Sequence, residues 1–196
     1  MINWLFPIVI VVVVIWAIGA YNKLIALKGQ TVNAWKQIDV QLKRRHDLIP
    51  NLVEAVKGAM EFERETLEQV IQARNQAVKI QADTLPTAGV KQLAAAEAAL
   101  SSALGRLNVV VERYPDLKAT GNVAQLQEEL TSTENRVSFA RQLYNDTATG
   151  YNIKQQQFPW NLVAGFAKAE VVELWEITEE SEREVPKVDL SMNPKQ

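Results

Sequence analysis

The chain has 196 residues, with 21 Lys and Arg against 23 Asp and Glu, a net charge of −2. That balance excludes the basic footprint of a nucleic-acid binder, and no nucleic-acid partner is expected. There is no Cys and only one His, so disulfide frameworks, thiolate chemistry and imidazole-based metal sites or triads are excluded too.

Residues 4–20, WLFPIVIVVVVIWAIGA, carry no charge. A bilayer core needs about 20 predominantly apolar residues, with about 17 at the short end, so residues 1–22 are predicted to be a transmembrane anchor. Ile and Val occur all round the helix, unlike the one-sided stripe of a soluble helix. A cleaved signal peptide is disfavoured because no cation precedes the run. The expected lipid-facing and interfacial residues are Trp4, Phe6, Ile10, Val14, Trp16 and Tyr21. Lys23 and Lys28 follow the span and none precedes it, which predicts a single-pass protein of the cell membrane with a cytoplasmic body.

Residues 23–152 read as an antiparallel four-helix bundle. Leu24, Leu27, Thr31, Trp35, Ile38 and Leu42 recur at three- and four-residue steps, so the anchor should run directly into the first body helix. Pro50 predicts a break near residues 46–50. A second helix is expected from about 50 to 82, with Val53, Val56, Met60, Leu67 and Val70 on its stripe. The third, about 89–114, places Leu93, Leu100, Leu104, Leu107 and Val111 at heptad spacing. The fourth, about 122–150, does so with Val123, Leu130, Val137, Ala140, Tyr144 and Tyr151. Short connections between such stripes make an up-down-up-down bundle. An even number of helices returns the chain to the membrane surface, carrying the apolar segment 153–168. Phe158, Trp160, Leu162 and Phe166, together with Trp175, are candidates for membrane-surface or oligomer contact; the alternative for residues 158–166 is that they cap the open end of the bundle's own core. Residues 169–196 form an acidic tail, in which Val171, Val172, Leu174, Trp175 and Ile177 could form a short strand or dock on a neighbour.

Polar residues interrupt the stripes at Glu63, Arg74 and Glu97. Interhelical ion pairs that set register account for them best. Lys43, Arg44, Arg45, His46 and Asp47 are placed by the expected break at the membrane-distal tip, as a candidate partner contact. No phosphate loop or Glu-x-x-His pair occurs, so neither an enzyme nor a cofactor is expected.

The segments YNKL (21–24) and AWKQIDVQLKRRHDLIPNLV (34–53) resemble the signature of the LemA family of bacterial membrane proteins. Further matches are ALGRL (103–107), YPDLK (114–118), LTSTENR (130–136), YND (144–146), FP (158–159) and PKVD (186–189). The chain departs from the usual pattern around residues 163–172, where members often carry a more aromatic segment. The resemblance implies one N-terminal transmembrane helix, a long antiparallel helical body and no assigned catalytic activity. Three functions fit: a non-enzymatic scaffold that self-associates at the membrane, an adaptor or regulator of a membrane protease, transporter or sensor, and a lipid-binding or membrane-shaping protein. Membrane lipid, further copies of the chain and a membrane-protein partner are the expected contacts.

Overall fold

The computed structural model describes residues 4–58, 60, 63–115 and 121–176. Among these the secondary structure is all α-helical. The acidic stretch beyond residue 176, with the PKVD motif, and the connection at 116–120 lie outside the described residues.

Helix α1 spans Leu5–Lys57, about 80 Å at 1.5 Å per residue. Helix α2 is Arg64–Asp83, α3 Val90–Val111, α4 Gly121–Gln156 and α5 Trp160–Phe166. The apolar run and the first body helix are one element. Instead of breaking at residues 46–50, α1 passes through Pro50. Proline removes the helical N–H that would bond the carbonyl of residue 46. That carbonyl accepts from Arg74 Nε of α2 at 3.2 Å instead. The first helix ends at Lys57 instead, and the second starts at Arg64 rather than Pro50.

The long helices α1 and α4 pair along the rod. The shorter α2 and α3 pair with each other and cover only the membrane-distal half of α1 and α4. Leu85 and Ala88 exchange two backbone hydrogen bonds in the turn between them. Gly89 starts α3 at φ +90°, a conformation natural to glycine.

The remaining side of the α1–α4 pair is filled by residues 169–176, which are extended and end-on to α3. Asn152 Oδ1 accepts from the Val172 N–H at 2.9 Å, and its Nδ2 donates to the Val172 carbonyl at 2.7 Å. Asn145 makes the same pair with Trp175, both bonds at 2.9 Å. Two helical turns rise about 10.5 Å and three extended residues about 10 Å, so the two amides match the two peptide groups. Glu173 Oε2 accepts from the Val90 N–H at the start of α3, at 2.9 Å. In place of a strand or a contact with a neighbour, the segment docks on its own bundle.

Apolar packing occurs in three layers along the rod. Ala20, Leu24, Val163 and Ala164 pack at the membrane end. Trp35, Ile38, Leu42, Leu93, Tyr144, Val172 and Trp175 fill the middle. Ile49, Leu52, Val56, Met60, Val70, Leu100, Leu107 and Val123 fill the distal part.

Candidate functional site

Between the middle and distal layers lies a layer of charge. Arg45, His46 and Glu97 are 4%, 2% and 3% exposed. Arg45 Nη1 lies 3.2 Å from Glu97 Oε2, and Nη2 donates to Ser101 Oγ at 2.8 Å. Glu134 Oε1 of α4 is 3.7 Å from Arg45 Nη2. His46 Nε2 lies 2.7 Å from the other Glu97 oxygen, which can only accept from a ring N–H. With Arg74 on the His46 carbonyl, the network joins all four body helices. Both Glu97 oxygens are occupied, as a buried carboxylate requires.

The arrangement suits registration better than chemistry. The cleft beside Arg45, lined by Leu104, Asn108, Gln127, Leu130, Thr131 and Glu134, holds about 40 Å³. That is room for no more than a few water molecules, at roughly 10–15 Å³ each on this measure. Among the described residues no three His, Asp or Glu side chains are grouped to hold a metal.

Arg45 and His46 were expected on a contact surface at the distal tip; they lie in the core, and α1 continues beyond them to Lys57. The signal was present, because the stripe through Ile38 and Leu42 continues to position 45 and then to Ile49. Lys43, Arg44 and Asp47 are exposed. Lys43 and Asp47 border an open groove between α1 and α2. Glu97 and Arg74 enter the network, while Glu63 pairs at 3.4 Å with the exposed Arg113. Ser101 and Asn152 were not singled out by sequence, and Glu134 and Asn145 entered only within the LTSTENR and YND matches, with no role attached. The seven-residue spacing of the two asparagines is the clue they offered.

Trp175 was expected at a membrane or oligomer surface, but it is buried against Trp35. The Arg141 guanidinium lies 5.6 Å from its ring centroid. Nearby, the Tyr144 hydroxyl donates to the Glu173 carbonyl at 2.6 Å. Burial, and secondarily the charge of Glu173, push the Tyr144 phenol well above its ordinary value. Burial and Glu170 act on Tyr151 in the same direction.

Two exposed apolar features remain. On the outer face of the α1–α4 pair, Val40, Phe139, Ala140 and Leu143 border a groove of about 470 Å³, flanked by Lys36 and Arg136. Phe139 is 72% exposed and carried no sequence signal beyond its position off the stripe. At the other end, α5 packs Val163 and Ala164 on Ala20 and Leu24 of α1. Trp160 meets Trp16 edge-on, with ring centroids 6.3 Å apart. Trp4, Phe6, Ile10, Val14, Trp16 and Tyr21 are all exposed. Among the described residues α1 is the one helix long and apolar enough to cross a membrane.

Residues 34–190 match the family model of the LemA family. Protein LemA of Metamycoplasma hominis is 30% identical over 147 residues, covering 75% of this chain and 64% of that protein. Magnetosome proteins MamQ 1 and MamQ 2 of Paramagnetospirillum magneticum are each 27% identical over 172 residues, covering 76% of this chain and 63% of theirs. The chain thus matches less than two thirds of the length of these curated relatives.

Proposed function

The chain belongs to the LemA family, and from that premise and the rod-like pairing of α1 with α4 we propose that this membrane-associated protein is a non-enzymatic scaffold. It self-associates in the bilayer through the outer α1–α4 face, with its body on the cytoplasmic side of Lys23 and Lys28. The observation that carries this reading is the exposed apolar groove with Phe139 beside it. A twofold dimer needs a patch that complements itself. Here a projecting ring and an apolar recess stand next to each other, so each copy offers both knob and hole. A twofold axis along the membrane normal keeps both anchors in the same orientation. Confinement to one bilayer also raises the effective concentration of the patch. Burying a Phe contributes about 2 kcal/mol for each copy.

The chain has no native Cys, so one introduced thiol reports contacts cleanly. Gln142→Cys, exposed one turn from Phe139, should form a dimer with a short bismaleimide in native membranes, and Phe139→Glu should abolish it. Full-length protein that sediments as a monomer in mild detergent, with membrane crosslinking unaffected by Phe139→Glu, would remove the basis of the proposal.

A further inference from the structure

At the end of the molecule opposite the distal tip, three large apolar side chains stand out from the protein surface. Phe158 is 80% exposed, Leu162 59% and Phe166 91%. Leu162 and Phe166, at i and i+4, share one side of α5, and Phe158 stands in the turn that leads into it. The other side of α5, with Val163 and Ala164, holds it against α1. A seven-residue helix could not keep such a face in water unaided. Its attachment therefore fixes where the face points along the rod.

That height is set by the residues it touches. The segment packs on Ala17, Ala20 and Leu24 and meets Trp16 through Trp160. These residues straddle the end of the uncharged run 4–20 and the first cation, Lys23. The run is about 26 Å long, a little short of the roughly 30 Å hydrocarbon core. Its last turn is therefore at the boundary between acyl chains and headgroups. Paired Trp rings are at home there, with an apolar body and a polar N–H. Lys154 Nζ stands 4.2 Å from the Trp160 ring centroid, and Lys168 ends the segment. Both cations are on the side where anionic headgroups lie. Lys168 itself is held at φ +46°, closing α5 with a backbone bond from the Ala169 N–H to the Ala164 carbonyl at 3.1 Å.

We infer that Phe158, Leu162 and Phe166 insert into the leaflet from which α1 emerges, giving the protein a second lipid contact beside its span. The occupant of this face is the acyl–headgroup boundary of the bilayer. The inference is independent of self-association, since it uses the membrane end of the rod and not the Phe139 groove, which lies beside the middle layer. It makes the anchor two-sided in function: the span fixes the protein in the membrane, and α5 fixes the rotation and tilt of the rod against the surface.

The test uses the full chain in vesicles of phosphatidylethanolamine and phosphatidylglycerol, with single cysteines carrying an environment-sensitive NBD label. Phe158→Cys and Phe166→Cys report the proposed contact, and Val109→Cys, exposed in the distal half, serves as the aqueous reference. Labels at 158 and 166 should emit to the blue of the label at 109. They should be quenched several-fold more by a nitroxide near the headgroup end of the acyl chain than by aqueous iodide. Equal iodide access at all three positions would overturn the inference. So would a blue-shifted label at 158 or 166 that lipid nitroxides leave bright and that reddens as the protein is diluted in lipid, because that pattern means contact with another copy. Phe158→Ser with Phe166→Ser, carrying the label at Leu162→Cys, should lose at least half of the lipid quenching. Unchanged quenching there would also count against it.

Discussion

Replacing Arg74 by Met removes the one guanidinium bond to the His46 carbonyl while keeping an apolar stem in the half-buried space between α1 and α2. In a helix that carbonyl would bond the N–H of residue 50, but residue 50 is Pro. His46 is 2% exposed, so water cannot take over the role of Arg74. An orphaned buried carbonyl costs about 1–3 kcal/mol. For a chain of this length that corresponds to a fall of roughly 2–12 °C in the unfolding midpoint, followed by helical circular dichroism in mild detergent. A second background gives a sharper test. Pro50→Ala restores the helical N–H, so Arg74→Met should then cost little, and the two substitutions should couple by about 1–3 kcal/mol in a double-mutant cycle. Pro50→Ala alone should raise the midpoint, since proline inside a helix costs about 3 kcal/mol before any compensation. If Arg74→Met costs the same in the native chain and in the Pro50→Ala background, within about 0.5 kcal/mol, the guanidinium is not what lets α1 pass through its proline.

Glu97→Gln should destabilise the fold by about 3 kcal/mol in the same assay, because it leaves the buried Arg45 with only the more distant, exposed Glu134 as a counter-charge. Arg45→Met together with Glu97→Met should recover part of that loss, and a double variant as unstable as the sum of the singles would show that the charges act independently. Stability should also fall as pH rises above 10. The Tyr144 phenol, raised from its ordinary 10.0 by burial and then by Glu173, keeps its proton in the folded chain. The unfolded chain releases its proton first, so stability is complete below pH 10 and is lost as pH climbs towards the folded value. Tyr144→Phe should lower the midpoint at pH 8, where the bond to Glu173 is lost, and flatten the fall between pH 10 and 11.

The helices of this chain are legible because each body helix must bury one stripe, and a 3.6-residue period survives in the sequence whatever packs on it. What the sequence hid is non-local. The penalty at Pro50 is visible, but its offset comes from a side chain on the next helix, so a break was the natural expectation. The basic cluster at 43–46 resembles a solvated helix end because its partner, Glu97, lies on a third helix. Residues 171–175 have β-branched and apolar character. Their docking depends on Asn145 and Asn152, ordinary polar residues until the bundle leaves an open flank beside them. Trp175 escaped for the same reason: the short α2–α3 pair leaves the middle of the rod open, and Trp175 covers it.

These placements bear on why charge is buried where it is. Between residues 42 and 49 the core of α1 changes neighbours, from the tail segment and Tyr144 below to α2, α3 and the distal end of α4 above. Leucine packing on both sides would tolerate α2 and α3 sliding by a turn. Arg45, reaching Glu97, Ser101 and Glu134 at once, does not. A turn of slip would break all three contacts and also move Val90 off Glu173. The polar layer therefore fixes the height at which the α2–α3 pair ends, and hence the length of open flank that residues 169–176 must fill. That segment begins where α5 ends, so the same register sets how closely α5 is held to the end of the span. A register slip at the charged layer should thus be felt about 30 Å away, at the exposed Phe166.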